Sequence, residues 1–161
     1  MSVDFFLRVE GIEGESTAAK HMGEIDVLSW SWGASNPVTA GPASGSASGR
    51  VNIQDLHFTT RMSKASPRLF LACATGQHLK QARLSAVRAG EKAAEFFSLT
   101  LSDVRISSYQ SGGSEGSDIV PMDQVSLNAA KLAIEYKAMR PDGTVEAPVV
   151  AGWDAKSGSK F

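Results

Sequence analysis

The sequence predicts a mainly β protein, a compact β-barrel with one short α-helix. Three observations carry that expectation. Apolar residues recur at period two in segment after segment, which is the strand signal. A single stretch has helix start and stop signals at both ends. Glycine- and serine-rich segments punctuate the chain where tight connections are needed.

The strands follow in order. Phe5, Leu7 and Val9 alternate with Phe6, Arg8 and Glu10. Met22 to Trp32 reads as a longer strand whose apolar phase changes: Ile25 and Val27 lie on one face, then Leu28, Trp30 and Trp32 on the other. Side chains alternate strictly along a strand, so such a switch predicts a bulge or burial on both faces. A bend of this kind suits a sheet that curls into a barrel. Val51 to Thr60 repeats the switch, with Val51 and Ile53 in one phase and Leu56 and Phe58 in the other. Further strands are expected at Ala82 to Arg88, Phe96 to Ser107, Asp123 to Asn128 and Ala130 to Met139. Pro141-Asp142-Gly143 predicts a turn, because proline presets φ and glycine tolerates positive φ. Closing the sheet into a barrel would remove aggregation-prone edges; a sandwich is the other architecture the pattern allows.

The helix is expected over Pro67 to Thr75. Ser66 is a suitable N-cap, Pro67 fits the first helical position and Gly76 supplies a left-handed stop. Leu69, Phe70, Ala72 and Cys73 form its apolar face. Two segments, Asn36 to Gly49 and Ser111 to Asp118, are rich in small residues and read as solvated loops. The first is long enough to be functional or disordered. The tail after Trp153 is expected to fray.

At 161 residues with 42% hydrophobic content, the chain suits one globular domain. Sixteen basic residues face 17 acidic ones, a formal net charge of −1. That balance excludes intrinsic disorder and lacks the basic excess of a nucleic-acid binder. No apolar run approaches the ~20 residues of a membrane span. The N-terminal apolar run stops at Arg8, short of the ~7–15 residues of a secretory h-region. Cys73 is the single cysteine, so no intramolecular disulfide forms. Cytoplasmic synthesis is the expectation.

Chemistry-bearing motifs are scarce. His21, His57 and His78 stand at no metal-ligand spacing and read as surface or loop histidines. Cys73 reads as a small core hydrophobe. Neither a phosphate-binding glycine loop nor a nucleophile elbow is present. No cofactor, no metal and no catalytic residue is therefore expected. Trp30 and Trp32 share one strand face, with Ser29 and Ser31 on the other. Two readings of this strand stand side by side. The indoles are core, or one face is core while the small hydroxyls line a smooth, weakly polar surface for protein partners.

The order of these strings resembles a known family. Gly23-Glu24-Ile25-Asp26-Val27-Leu28-Ser29-Trp30-Ser31-Trp32-Gly33 is followed by Gln54-Asp55-Leu56-His57-Phe58-Thr59. Then come Ser66-Pro67-Arg68-Leu69-Phe70-Leu71-Ala72-Cys73-Ala74-Thr75-Gly76, Val125-Ser126-Leu127-Asn128-Ala129-Ala130-Lys131, Ile134-Glu135-Tyr136 and Gly152-Trp153-Asp154. In series over residues 3 to 154 they resemble the haemolysin-coregulated protein (Hcp) family, the inner tube of the bacterial type VI secretion system.

The resemblance implies a single domain over residues 1–154, with a flexible tail at 155–161 and a fold like that of phage tail-tube proteins. It implies a homo-hexameric ring with a wide pore, stacking of rings into a tube, and carriage of effector proteins in the lumen. It implies contacts with spike and sheath components, no nucleic acid, no membrane insertion, no enzymatic activity, and export without a cleavable signal peptide. Ser29 and Ser31 are the expected lumen-facing, effector-contact residues. The long loop, with Pro37, Val38, Thr39, Gly41, Pro42, Ser44, Gly45 and Ser46, is the expected ring-stacking element. The competing functions are a monomeric binding module using Trp30 and Trp32 as a platform, and a small β-barrel enzyme.

Overall fold

Alternation along the first strand organises the core. In the computed structural model, which describes residues 2–37, 50–90, 93–116 and 118–161, β1 (Val3–Val9) sends Leu7 and Val9 inward and Asp4 and Arg8 outward. It pairs antiparallel with β2 (Ile25–Val27) on one edge and β7 (Leu79–Arg88) on the other. β7 pairs with β8 (Ala94–Gly112), and β8 with β9 (Met122–Tyr136). Register then aligns Ile25, Leu7, Leu84, Leu99 and Ile134 in one row across five strands. The first four are at most 1% exposed, each burial contributing about 1.5–3 kcal/mol.

The expected phase switches are breaks between short strands. β2 ends at Val27 and β3 (Ser29–Ser31) begins after Leu28. Leu28 absorbs the extra residue and points outward, which lets Trp30 reach the same core as Val27. β4 (Ala34–Ser35) and β5 (Asn52–Ile53) form a separate two-stranded ladder. The second switch falls between β5 and β6 (Leu56–Arg61). The two expected segments 123–128 and 130–139 are one strand, β9, which ends at Tyr136, because β8 pairs along both halves of it.

β3 pairs with β6, and β6 with the first half of β9. A register slip between Ile106 and Ser108 bends β8, as an extra bulge residue does. Hydrogen bonding nonetheless does not close the nine-stranded sheet into the expected barrel. At Leu28 the chain leaves β1 and joins β6, so no ladder spans those two strands. Two bonds bridge this seam: the Leu28 N–H donates to the Thr59 carbonyl at 2.8 Å, and the Thr60 hydroxyl to the Asp26 carbonyl at 2.7 Å. On the other side β10 (Val149–Asp154) extends from β9 and β11 (Ser159–Lys160) pairs with β10. The tail therefore turns back along the sheet, with Asp154 Oδ1 accepting the Lys156 and Ser157 N–H groups at 2.9 and 3.2 Å.

The helix α1 (Ser66–Thr75) ends as expected. Gly76 sits at φ 66°, its N–H reaching the Cys73 carbonyl while the Gln77 N–H reaches that of Ala72, a Schellman stop. Its start differs. Ala65 occupies the cap position and makes no side-chain cap bond. The Ser66 hydroxyl instead donates to the buried Asp123 carboxylate, which also receives the Tyr109 hydroxyl at 2.9 Å. Ser66, Asp123 and Tyr109 thus tie α1 to β9 and β8. Phe70 departs from the expected apolar face: it is 56% exposed and meets Tyr109 edge-on. At 100° per residue Leu69, Ala72 and Cys73 share a stripe that Phe70 lies beside.

Candidate functional site: a neutral concave wall

Four strand segments build a broad polar face opposite the core. Along β3, β6, the first half of β9 and the far half of β8, Trp30, Phe58, Val125 and Ile106 pack toward the core. Their neighbours point the other way. Register aligns Ser31, His57, Ser126 and Ser108 in one row, and Ser29, Thr59, Gln124 and Gln110 in the next. These side chains line an open hollow of about 470 Å³. Ser29 and Ser31, expected to face away from the indoles, are both exposed at its edge.

The wall satisfies its polar atoms by pairing neutral groups. Ser29 Oγ and Thr59 Oγ1 are 2.6 Å apart, and His57 Nδ1 and Ser126 Oγ 2.5 Å. Charges stand at its two ends. On one side Asp55 accepts the Ser107 hydroxyl at 2.6 Å and an Asn128 amide hydrogen at 2.9 Å, with exposed Arg105 opposite Asn128. On the other are Arg61 and Asp26. Burial pushes the Asp26 carboxyl above its ordinary range; Arg61 pulls it back, while Asp4 and Glu15 add to the rise.

The Ser126–His57 pair has the separation of a nucleophile and its base. A catalytic pair also needs a group that orients the imidazole and free donors for an oxyanion. Among the described residues no carboxylate bonds to His57, and the strand amides around Ser126 serve the ladders to β6 and β8. No group of three or more His, Cys, Asp or Glu side chains among the described residues is placed to hold a metal. No helix among them is long and apolar enough to cross a membrane.

Trp30 stacks on Phe97 at 5.4 Å between centroids and meets Phe5 edge-on at 5.8 Å. Trp32 packs against the same core, so the indoles act as core aromatics. Cys73 is half-buried against it. His21, expected at the surface or in a loop, lies in the connection between β1 and β2, buried and bonded to Glu24 at 3.0 Å. Of the proposed stacking loop, Pro37 is exposed just after β4; Val38, Thr39, Gly41, Pro42, Ser44, Gly45 and Ser46 lie outside the described residues. His57 was weighed from sequence only as a metal ligand, and Thr59, Ser108, Gln110, Gln124 and Ser126 were not singled out. Their signal was the alternation in Leu56-His57-Phe58-Thr59 and Val125-Ser126-Leu127, which marks a polar face without saying which strands share it.

Fold and wall together define a β-sheet protein that presents a wide neutral surface. Comparison with known proteins gives that description a place. Residues 6–136 match the family model described as type VI secretion system effector, Hcp. The chain is 39% identical to the Hcp1 protein of Pseudomonas aeruginosa, over 97% of each. The crystal structure of Hcp1 from Salmonella typhimurium superposes with a TM-score of 0.83 at 32% identity, covering all of both chains. A structure described as a type six secretion system protein superposes at 0.94 with 25% identity, over 99% of this chain and all of the other. The chain belongs to the Hcp family of type VI secretion proteins.

Proposed function

We propose that this chain is the structural subunit of the type VI inner tube. Six copies form a ring, the number being that implied by the family resemblance, and rings stack into a tube. The lumen carries effector proteins for export. The observation that supports this reading is the pair of aligned rows, Ser31–His57–Ser126–Ser108 and Ser29–Thr59–Gln124–Gln110. Hydroxyls and amides give passing cargo short-range hydrogen bonds and no long-range field to repel it. Ser29 and Ser31 are its effector-contact residues, and the segment from Pro37 to Ser46 is the ring-stacking element. Residues 1–154 act as one unit with a short tail. The protein is synthesised in the cytoplasm, exported without a cleavable signal, and meets spike and sheath components. It acts by shape and surface, not by catalysis, and takes neither nucleic acid nor a membrane as partner.

Negative-stain microscopy and light scattering of the purified chain test the assembly. Rings with an open centre are expected; a species that stays monomeric at high concentration overturns the reading. Ser31→Arg tests the wall. It should leave rings intact, shift stability by under about 0.5 kcal/mol as exposed substitutions do, and reduce co-purification of a co-expressed effector. Loss of folding instead would show that Ser31 faces the core.

A further inference from the structure

The three histidines differ in what balances a proton on them. His21 Nδ1 lies 3.0 Å from Glu24 Oε2, with its ring stacked on Phe6 at 4.5 Å. His78 Nε2 lies 3.2 Å from Asp103 Oδ1. A carboxylate stands ready to offset the charge of each. His57 is exposed on the concave wall, and its Nδ1 faces the Ser126 hydroxyl. A hydroxyl donates to neutral imidazole and accepts from imidazolium. The bond therefore survives protonation, and the added proton brings the wall a positive charge to which no carboxylate among the described residues is bonded.

Within the two rows the groups around His57 are uncharged, and the nearest charges, Asp55 and Arg105, stand one row away beside Asn128. β3 presents Ser31 and Ser29, β9 presents Ser126, Gln124 and Asn128, and β8 presents Ser108 and Gln110, with Arg105 opposite Asn128. On its own side of the sheet the neighbours are Thr59 and Asp55, with Arg61 two residues beyond Thr59. Asp55 keeps its negative charge while it accepts from Ser107 and Asn128, and Arg105, paired with Asn128 on β8, brings the opposite charge to the same row. Arg61 stands at the far end, where Asp26 feels its charge. Imidazole is the side chain whose charge changes between about pH 5 and pH 8. Within the two rows, His57 is the one ionisable side chain.

We propose that His57 is the specificity-determining residue of this wall: as imidazolium it holds cargo that presents an acidic polypeptide surface, and as imidazole it lets that cargo go. Carboxylates on such a segment accept a charge-assisted hydrogen bond from His57 and further bonds from the hydroxyls and amides of the two rows. Repetition around a ring multiplies a weak contact into useful retention. This inference rests on the proposed luminal position of the wall.

Fluorescence anisotropy of the full-length protein with a fluorescein-labelled decaglutamate peptide tests it, beside an equally labelled glycine–serine decamer, at pH 5.5 and 8.0 in low salt. Decaglutamate should bind at least about tenfold more tightly at pH 5.5, about 1.4 kcal/mol, while the glycine–serine peptide shows no such difference. His57→Gln should abolish the difference, His57→Lys should bind decaglutamate about equally at both pH values, and His78→Gln should keep the wild-type response. An unchanged affinity in the wild type, or the same pH response in His57→Gln, overturns the proposal. If His57→Gln does not fold, pH-independent tight binding by His57→Lys supports it, and a wild-type pH response in that variant overturns it. Ser31→Arg separates the two layers. Tight binding by Ser31→Arg at both pH values, with no pH response in the wild type, defeats the role of His57 and leaves the wall standing. No binding by either protein, together with no rings in the microscope, defeats both.

Discussion

The concave wall and the outer face around β1, β7 and the near half of β8 meet the same requirement by opposite means. On the wall, hydroxyl pairs with hydroxyl at Ser29–Thr59 and with imidazole at Ser126–His57. On the outer face charge pairs with charge: Arg83 Nη2 lies 2.8 Å from Glu95 Oε1, and Lys137 Nζ lies 3.8 Å from Glu135. Charges act over several ångströms, and a partner must match them or be repelled. Neutral hydrogen-bonding groups act only at contact. The difference teaches that the wall suits varied partners, whereas the outer face suits one arrangement of neighbours.

The contrast rests on strands with one core side and one wall side, and it breaks most visibly at Phe58. That ring is 2% exposed between His57 and Thr59, so Phe58→Ala should cost about 3–5 kcal/mol in urea unfolding. A cost below about 1 kcal/mol would mean that β6 does not divide core from wall. Next in size is Asp123→Ala, which leaves the Ser66 and Tyr109 hydroxyls without their acceptor. About 2–3 kcal/mol of stability should be lost, and proteolysis should reach the start of α1 sooner than in the wild type. On the outer face, Arg83→Ala removes a partly solvated pair. Its cost should stay under about 1 kcal/mol and shrink as salt is added; Ser29→Ala on the wall should show no salt dependence.

The smallest effect concerns the C-terminal hairpin. The Ser157 and Lys156 N–H groups hold the Asp154 carboxyl below its ordinary range, opposed by partial desolvation and helped by Lys131. A carboxylate favoured in the folded state binds fewer protons there than in the unfolded chain. Its contribution is complete above the unfolded value near pH 4 and is lost as pH falls through the lower folded value. Amide exchange at residues 155–158, corrected for intrinsic rates, should therefore quicken only below about pH 4. In Asp154→Asn that acid-induced step should be absent.

Much of the fold is legible in the residues because its cause is local. Alternation at Phe5 to Val9 marks a strand whatever its partners, and Gly76 stops α1 because a left-handed residue costs glycine little. Even the odd phase of residues 25–32 announces a break, since Ile25 and Trp30 cannot share one face of a regular strand. Ser29 and Ser31 were legible for the same reason. Ser66 misleads because its hydroxyl has two acceptable uses. Capping is a local use, and bonding Asp123 depends on a residue 57 positions away.

By itself the sequence determined the strand-rich class, the helix with its stop, the phase switch after Val27 and which side of β3 is polar, since each follows from neighbours within a few residues; the family was legible in the series of strings from residue 3 to 154. Only the tertiary structure decided that β6 sits between β3 and β9, that the ladder stays open at Leu28, that Phe70 lies outside the core, and that His57 completes a neutral row with Ser31, Ser126 and Ser108. The physical reason is that pairing between distant strands is chosen by the summed fit of whole faces, a quantity that no short stretch of residues contains.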